Sequence, residues 1–437
     1  MLQHLGRWGG IVLLMAMLLT SLPGCISSLE EAEEVTLKIL SLYDQSELDY
    51  IGLGSYLNKH PEVSLEYVDM PADSVDWYGE LEQRFLTEQP DIVISDSLSY
   101  GLLAGKSHFL NMNTYMEKGD YSAAERNPAV EESIKQRGNG TLEGLSPYFQ
   151  SNVLLYNADL FQAHHIQLPS DQMSWDEIMD MAELFTLEEV DDNRAYGYYA
   201  GIQGDPLKFV DQMAAAEGLS YMDGSRRAAA ANSAEWKSIY ESAIEAMRKG
   251  ALYLGEALER QPSADLVDIF LHGDIGMVMG GYDAVQKLEN RKVSFQWGFV
   301  TQPVAEGNRQ AGELTPWYIF SINKDSAHAN AAWQLIDAIN GKESVLKHGA
   351  SNGLLPVWKQ EQDEAGLSLA PFYLLKARTG KETAFREMPE ELADEIRKRR
   401  SSYFEDALIG KLTVDEALAA TQSSLQRLLA AADEGTG

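Results

Sequence analysis

A fold of mixed α/β class, with parallel strands at its start, is what this 437-residue sequence predicts, and three observations predict it. Short apolar segments recur along the first hundred residues. A stretch of helical period separates each from the next. Prolines or aspartates stand where one pattern gives way to the other. Strand, helix, strand, helix, strand in that order makes βαβ units, and these place their strands parallel in one sheet.

In chain order, "VTLKILSLY" alternates Val35, Leu37 and Ile39 along one face of a strand and leads into polar Asp44-Gln45. A helical stretch follows and stops at His60-Pro61, because proline lacks the N–H that a helix interior needs. "VSLEYVD" alternates again, Trp77 to Glu88 reads as helix, and "PDIVISD" is a short apolar strand between Pro90 and Asp96. Open sheets of this kind bind ligands beyond the carboxyl ends of their strands, where Asp44 and Asp96 stand.

Ahead of that sheet, Arg7 is the only side-chain cation before the apolar run Ile11 to Leu19, and Leu22-Pro23-Gly24-Cys25 follows. This is the layout of a secretory signal, residues 1–24. The run of nine apolar residues falls far short of the ~20 that span a bilayer. Cys25 is the chain's single cysteine, so it has no disulfide partner within the chain. Its setting resembles the lipobox of bacterial lipoproteins, which implies a diacylglycerol on the Cys25 thiol and cleavage just before it. The diacylglycerol's two acyl chains supply the double signal of stable anchoring. Residues 25–35 then read as lipidated cysteine and acidic tether, with four glutamates between Ile26 and Glu34.

Without the leader the chain carries 34 basic against 67 acidic side chains, formally −33. Such a surface repels phosphate backbones and anionic headgroups, which argues against nucleic acid as a partner and leaves the lipid anchor as the only membrane attachment. About 410 residues with this apolar content can bury two sizeable cores.

Further along, Gly144, Pro147, Tyr156-Asn157, Asp159-Leu160-Phe161, Pro169 and Ser174-Trp175-Asp176-Glu177 follow one another in a particular order. Ser174 with Glu177 is also a capping box on its own physics. Downstream come Phe270, Gly273, Met277, Gly281 and Tyr282, then "GFVTQPV", "WYIFSINKDSAHANAAWQLIDAI", "NGLLPVWKQ" and "LIGKLTVDEALAATQSSLQRLL". This ordered set resembles the family 1 extracellular solute-binding proteins, the sugar receptors of ABC importers. The chain departs from the family at Thr315-Pro316-Trp317, Tyr282-Asp283 and His164-His165.

The resemblance implies a two-lobed periplasmic-binding-protein-like fold of type II, each lobe a sheet flanked by helices, joined by a multi-crossing hinge. Residues 36–147 plus 304–341 would form the first lobe, and residues 148–303 plus 342–437 the second. It implies a monomeric lipoprotein without cofactor, in which a mono- or oligosaccharide closes the cleft and passes to ABC permease subunits. A receptor for a non-sugar solute such as a polyamine, or a lipoprotein that senses a ligand for a membrane receptor or kinase, is the alternative. An extracellular glycosidase ranks third.

A pyranose presents apolar C–H faces and a ring of hydroxyls, so aromatic platforms and carboxylates or amides suit it. Candidates at strand ends or crossings are Tyr43, Asp44, Gln45, Asp96, Tyr148, Gln150, Asp205, Tyr282, Asp283 and Trp317. Trp175 and Trp333 suit helix packing better. "GASNG", Gly349 to Gly353, matches a nucleophile elbow in letters, but a helical stretch precedes it where a strand is required. Neither P-loop nor Gly-x-Gly-x-x-Gly occurs, and the eight histidines include no His-x-x-x-His pair, so nucleotide and metal chemistry are not expected.

Overall fold

A computed structural model describes residues 34–70, 77–117, 125–138, 140–187, 195–200, 206–223, 228–254, 266–349, 353–363, 365–378 and 390–435. Cys25 and most of the acidic tether, together with Asp205, lie outside the described residues. The strands in chain order are β1 (Val35–Ser41), β2 (Val63–Val68), β3 (Ile92–Ser95), β4 (Tyr148–Asn157), β5 (Tyr196–Tyr199), β6 (Leu252–Tyr253) and β7 (Ile275–Gly281). They continue with β8 (Trp297–Thr301), β9 (Ala311–Gly312), β10 (Leu314–Trp317), β11 (Ile319–Ile322), β12 (Leu355–Pro356) and β13 (Lys376–Ala377).

The first sheet has the order β11-β3-β1-β2. β1 runs parallel to both β2 and β3, as the βαβ pattern requires, and β11 joins antiparallel from far along the chain. Leu37 and Ile39 on the inward face of β1 are wholly buried, and so are Ile92, Val93 and Ile94 of the central strand β3, which is why β3 alone reads as a continuous apolar run. The crossover helices are Gln45–Tyr50 with Leu53–Lys59, and Trp77–Glu88. His60 ends the first crossover just ahead of Pro61.

The second sheet is built on β4. Its first half pairs with β10 and β12, and its second half with β7 and β8, all antiparallel. β5 then adds parallel to β7, and β6 to β5. Helix Trp175–Leu184 covers this sheet behind the expected Ser174–Glu177 capping box. The second core gathers Trp236, Tyr240, Phe404 and Leu425, so the terminal helices Glu390–Leu408 and Val414–Gly435 fold back onto it. Among the described residues no helix is long and apolar enough to cross a membrane.

The chain passes between the sheets three times, into β4, back from β10 to β11, and out again from β11 to β12. Leu145 bridges to Phe320 by a backbone pair of 3.0 and 2.8 Å just before the chain enters β4. The return strand leaves the second sheet as β10 and enters the first as β11 after one residue, Tyr318, held at φ +58°. A non-glycine residue in that region is uncommon, and here it makes the turn between two sheets. Gly144 is needed beside it, since a Cβ would stand 2.6 Å from Cγ2 of Ile319.

Candidate functional site

Three adjoining hollows of about 490, 610 and 190 Å³ lie along these crossings, and Glu313 borders all three. The first draws Asp96 and Arg137 from the first lobe, Gln150, Thr315 and Trp317 from the β4–β10 pair, and the turn Gly218–Ser220 from the second lobe. The largest runs on beneath helix Pro206–Ala216, past Asp211, Trp175 and Met279. The smallest is enclosed by Gln150, Asn152, Tyr282, Asp283 and Gly353. Ligand sites occupy volumes of roughly 300–1,000 Å³, so the two larger hollows have the size for a small solute.

The expected residues fall in different places. Asp96 caps helix Ser97–Ala104, accepting from the Ser99 N–H at 2.7 Å, and its half-buried side chain borders the first hollow. Trp317 is half-buried in the same wall and its ring lies 6.4 Å from that of Tyr43. Tyr43 stands behind it, 4.4 Å from the Tyr318 ring. Burial pushes the Tyr43 hydroxyl's pKa well up, and the charge of Asp96 adds to the effect. Gln150 is exposed and faces the register partner Thr315. Tyr282 opens helix Tyr282–Asn290, edge-on to Phe372 at 5.7 Å, and Asp283 follows it, exposed and paired with Lys287 at 3.3 Å.

Three residues stand apart. Asp44 caps helix Gln45–Tyr50 in a second capping box, its Oδ1 accepting from the Ser46 hydroxyl at 2.6 Å and the Glu47 N–H at 2.9 Å. Those two bonds, the hydroxyl first, hold its carboxyl below the usual range. Neither Asp44 nor the adjacent Gln45 borders these hollows. Tyr148 is wholly buried and its hydroxyl donates to the Val345 carbonyl at 3.0 Å, which makes it a packing residue at the root of β4.

The sequence reading missed Glu313, Gln302, Asn152, Arg137 and Arg378. Gln302 grips the Glu313 backbone from both sides: its Nε2 donates to the carbonyl at 2.7 Å, and its Oε1 accepts from the N–H at 3.2 Å. Glu313 in turn pairs with Arg378 at 3.5 Å. Glu313 directly precedes "LTPW", so the logic that chose Trp317 could have reached it. Arg378 follows the pairing of β13 with β9, a long-range register with no local signature. Among the described residues no group of three histidine, cysteine or acidic side chains is placed to hold a metal ion.

Two α/β lobes joined by three crossings, with carboxylate, amide, guanidinium and aromatic groups facing a shared cleft, define a two-lobed solute-binding architecture. The profile of the bacterial extracellular solute-binding proteins matches residues 43–345, and the chain belongs to that family. A mannitol-binding protein of Pseudomonas aeruginosa is 24% identical over 404 residues, covering 84% of this chain and 87% of that protein. Among solved structures, the sugar-binding protein MalE of Xanthomonas citri aligns with a TM-score of 0.66 at 16% identity, over 91% of this chain and 98% of its own. An ABC transporter solute-binding protein of Agrobacterium vitis with bound D-mannitol aligns at 0.56 and 19% identity, over 91% and 99%. The two-lobed fold is thereby shared.

Proposed function

We propose that this chain captures a sugar or sugar alcohol in the cleft bordered by Asp96, Gln150, Glu313, Trp317 and Tyr282, and hands it to ABC permease subunits. The observation that carries the reading is the convergence in one cleft of an aromatic face, Trp317, with a carboxylate, Asp96, and an amide, Gln150, drawn from both lobes. These are the groups a polyol needs: apolar C–H faces pack on the indole, and hydroxyls donate to carboxylates and exchange bonds with amides. A relative that binds mannitol supports the same class. Lobes of residues 36–147 plus 304–341 and 148–303 plus 342–437 close on the solute, which links them by bonding to both.

The receptor works outside the cytoplasm as a monomer, held at the membrane by lipid on Cys25 after loss of residues 1–24. It carries out no reaction of its own. A thermal-shift screen of sugars, sugar alcohols, amino acids and polyamines tests the ligand class. A true ligand at a hundred times its dissociation constant adds about 2.7 kcal/mol of stability. If polyamines stabilise the chain and no polyol does, the reading fails.

A further inference from the structure

Away from the cleft, a separate hollow of about 360 Å³ shares no residue with it. It lies between helices Leu53–Lys59 and Lys342–His348, both packed near the end of helix Ala329–Asn340. In a chain with nearly two acids per base, this hollow is lined by Lys59, Lys342 and Lys347 against a single acid, Glu343. Lys342 pairs with Glu125 outside it. Lys59 and Lys347 make no ion pair among the described residues, although carboxylates are abundant.

Hydrogen-bonding groups converge on the same space. The His348 Nδ1 is 2.8 Å from the Ser344 carbonyl, which can only accept, so that nitrogen carries the proton and Nε2 faces the Ser55 hydroxyl at 3.5 Å. His60 is stacked on the Tyr56 ring at 4.4 Å and oriented by Glu62 at 3.0 Å. Gly52, at φ +112°, lets the two helix ends meet, because a Cβ there would lie 2.9 Å from the Ser344 hydroxyl and 3.1 Å from His348 Nδ1.

We propose that this hollow is a binding site for a phosphate-class oxyanion. The ammonium groups of Lys59 and Lys347, which make no ion pair among the described residues, and the hydroxyls of Ser55 and Ser344 form a donor set for a tetrahedral oxyanion, beside two imidazoles whose Nδ1 atoms are turned to Ser344 and Glu62, and the volume holds one such anion with its remaining water. The acidic remainder of the molecule repels long polyanions, so the site takes one phosphate group and not a nucleic acid. Two sources present that group: free phosphate, and the headgroup of an anionic lipid. The second works against the general repulsion of an acidic chain from anionic headgroups and is favoured only by topology, since the chain enters β1 beside this hollow, with the Val35 N–H on the Glu62 carbonyl at 2.9 Å. That source alone rests on the proposed lipid anchor.

The test uses the full chain and its Lys59→Gln/Lys347→Gln double variant, with retained binding of a cleft solute as the control for folding. Thermal unfolding is followed in rising inorganic phosphate at constant ionic strength, and retention is measured on phosphatidylglycerol and phosphatidylcholine vesicles. A saturable rise in melting temperature that becomes about tenfold weaker in the variant assigns free phosphate. A loss of phosphatidylglycerol-specific retention in the variant, without a phosphate response in the wild type, assigns the lipid headgroup. If variant and wild type respond alike in both arms, the proposal is overturned, including a non-saturating salting-out rise common to both.

Discussion

Tyr148→Phe removes one hydroxyl from the root of β4 and leaves the buried ring in place. Its cost depends on what the Val345 carbonyl retains. The Gly349 N–H also donates to that oxygen, so the acceptor is not orphaned. The loss is therefore the net worth of one hydrogen bond, about 1 kcal/mol, and not the larger penalty of an unsatisfied buried group. For a lobe of this size that lowers the melting temperature by about 2–4 °C. Gly349→Ala acts on the same junction from the other side, since its Cβ would stand 2.6 Å from Cε1 of Tyr148. A ring fixed by burial cannot move aside, and overpacking of this kind costs about 1–3 kcal/mol. In combination with Tyr148→Leu the clash is relieved, so the pair is non-additive, by about 1 kcal/mol or more. Urea unfolding followed by circular dichroism, beside solute titration, measures both effects. Unchanged stability with weakened solute binding in Tyr148→Phe would place the hydroxyl on the ligand and refute the packing role.

Asp96→Asn keeps an N-cap acceptor and Asp96→Ala does not, so only the alanine variant loses about 1 kcal/mol of stability, while both weaken solute affinity in calorimetric titration. Burial pushes the Glu143 carboxyl up to about 7, against the opposing charge of Lys324. Its folded value lies above the ordinary 4.5, so its contribution is complete at acid pH and is lost as pH rises through about 7. Glu143→Gln should flatten that part of the stability profile, and an unchanged pH slope in urea unfolding would discount it. Arg400 is buried over the Tyr221 ring and paired with Asp211, whose own side chain is 43% exposed. Arg400→Met therefore strands no buried charge and should cost about 1–2 kcal/mol, below the ~3–5 of breaking a fully buried pair; a larger loss in denaturant unfolding would contradict this.

Much of the first sheet was legible because its signals are local. Alternation, Pro61 and Pro90 mark β1, β2, β3 and the helices between them, and those elements appear where the patterns placed them. Ser174 and Glu177 announced a helix start in the same way. Asp44 and Asp96 carry one signature, an aspartate just past a strand and ahead of a helix, yet only Asp96 borders the cleft. The difference lies in how β3 pairs with β11, a contact from more than two hundred residues away. Arg378 was invisible for the same reason: β13 brings it to Glu313 through a register that neither segment encodes alone. Gln302 was hidden otherwise, since its amide is spent on the backbone of Glu313.

Small-angle scattering with and without a polyol identified by thermal shift, on wild type and Trp317→Ala, tests the central claim most directly. The expected result is a solute-induced contraction in the wild type, as both lobes bond one molecule, displaced to at least several-fold higher solute concentration in the variant. Stabilisation by the polyol without contraction, or contraction indifferent to Trp317, would contradict capture between the lobes.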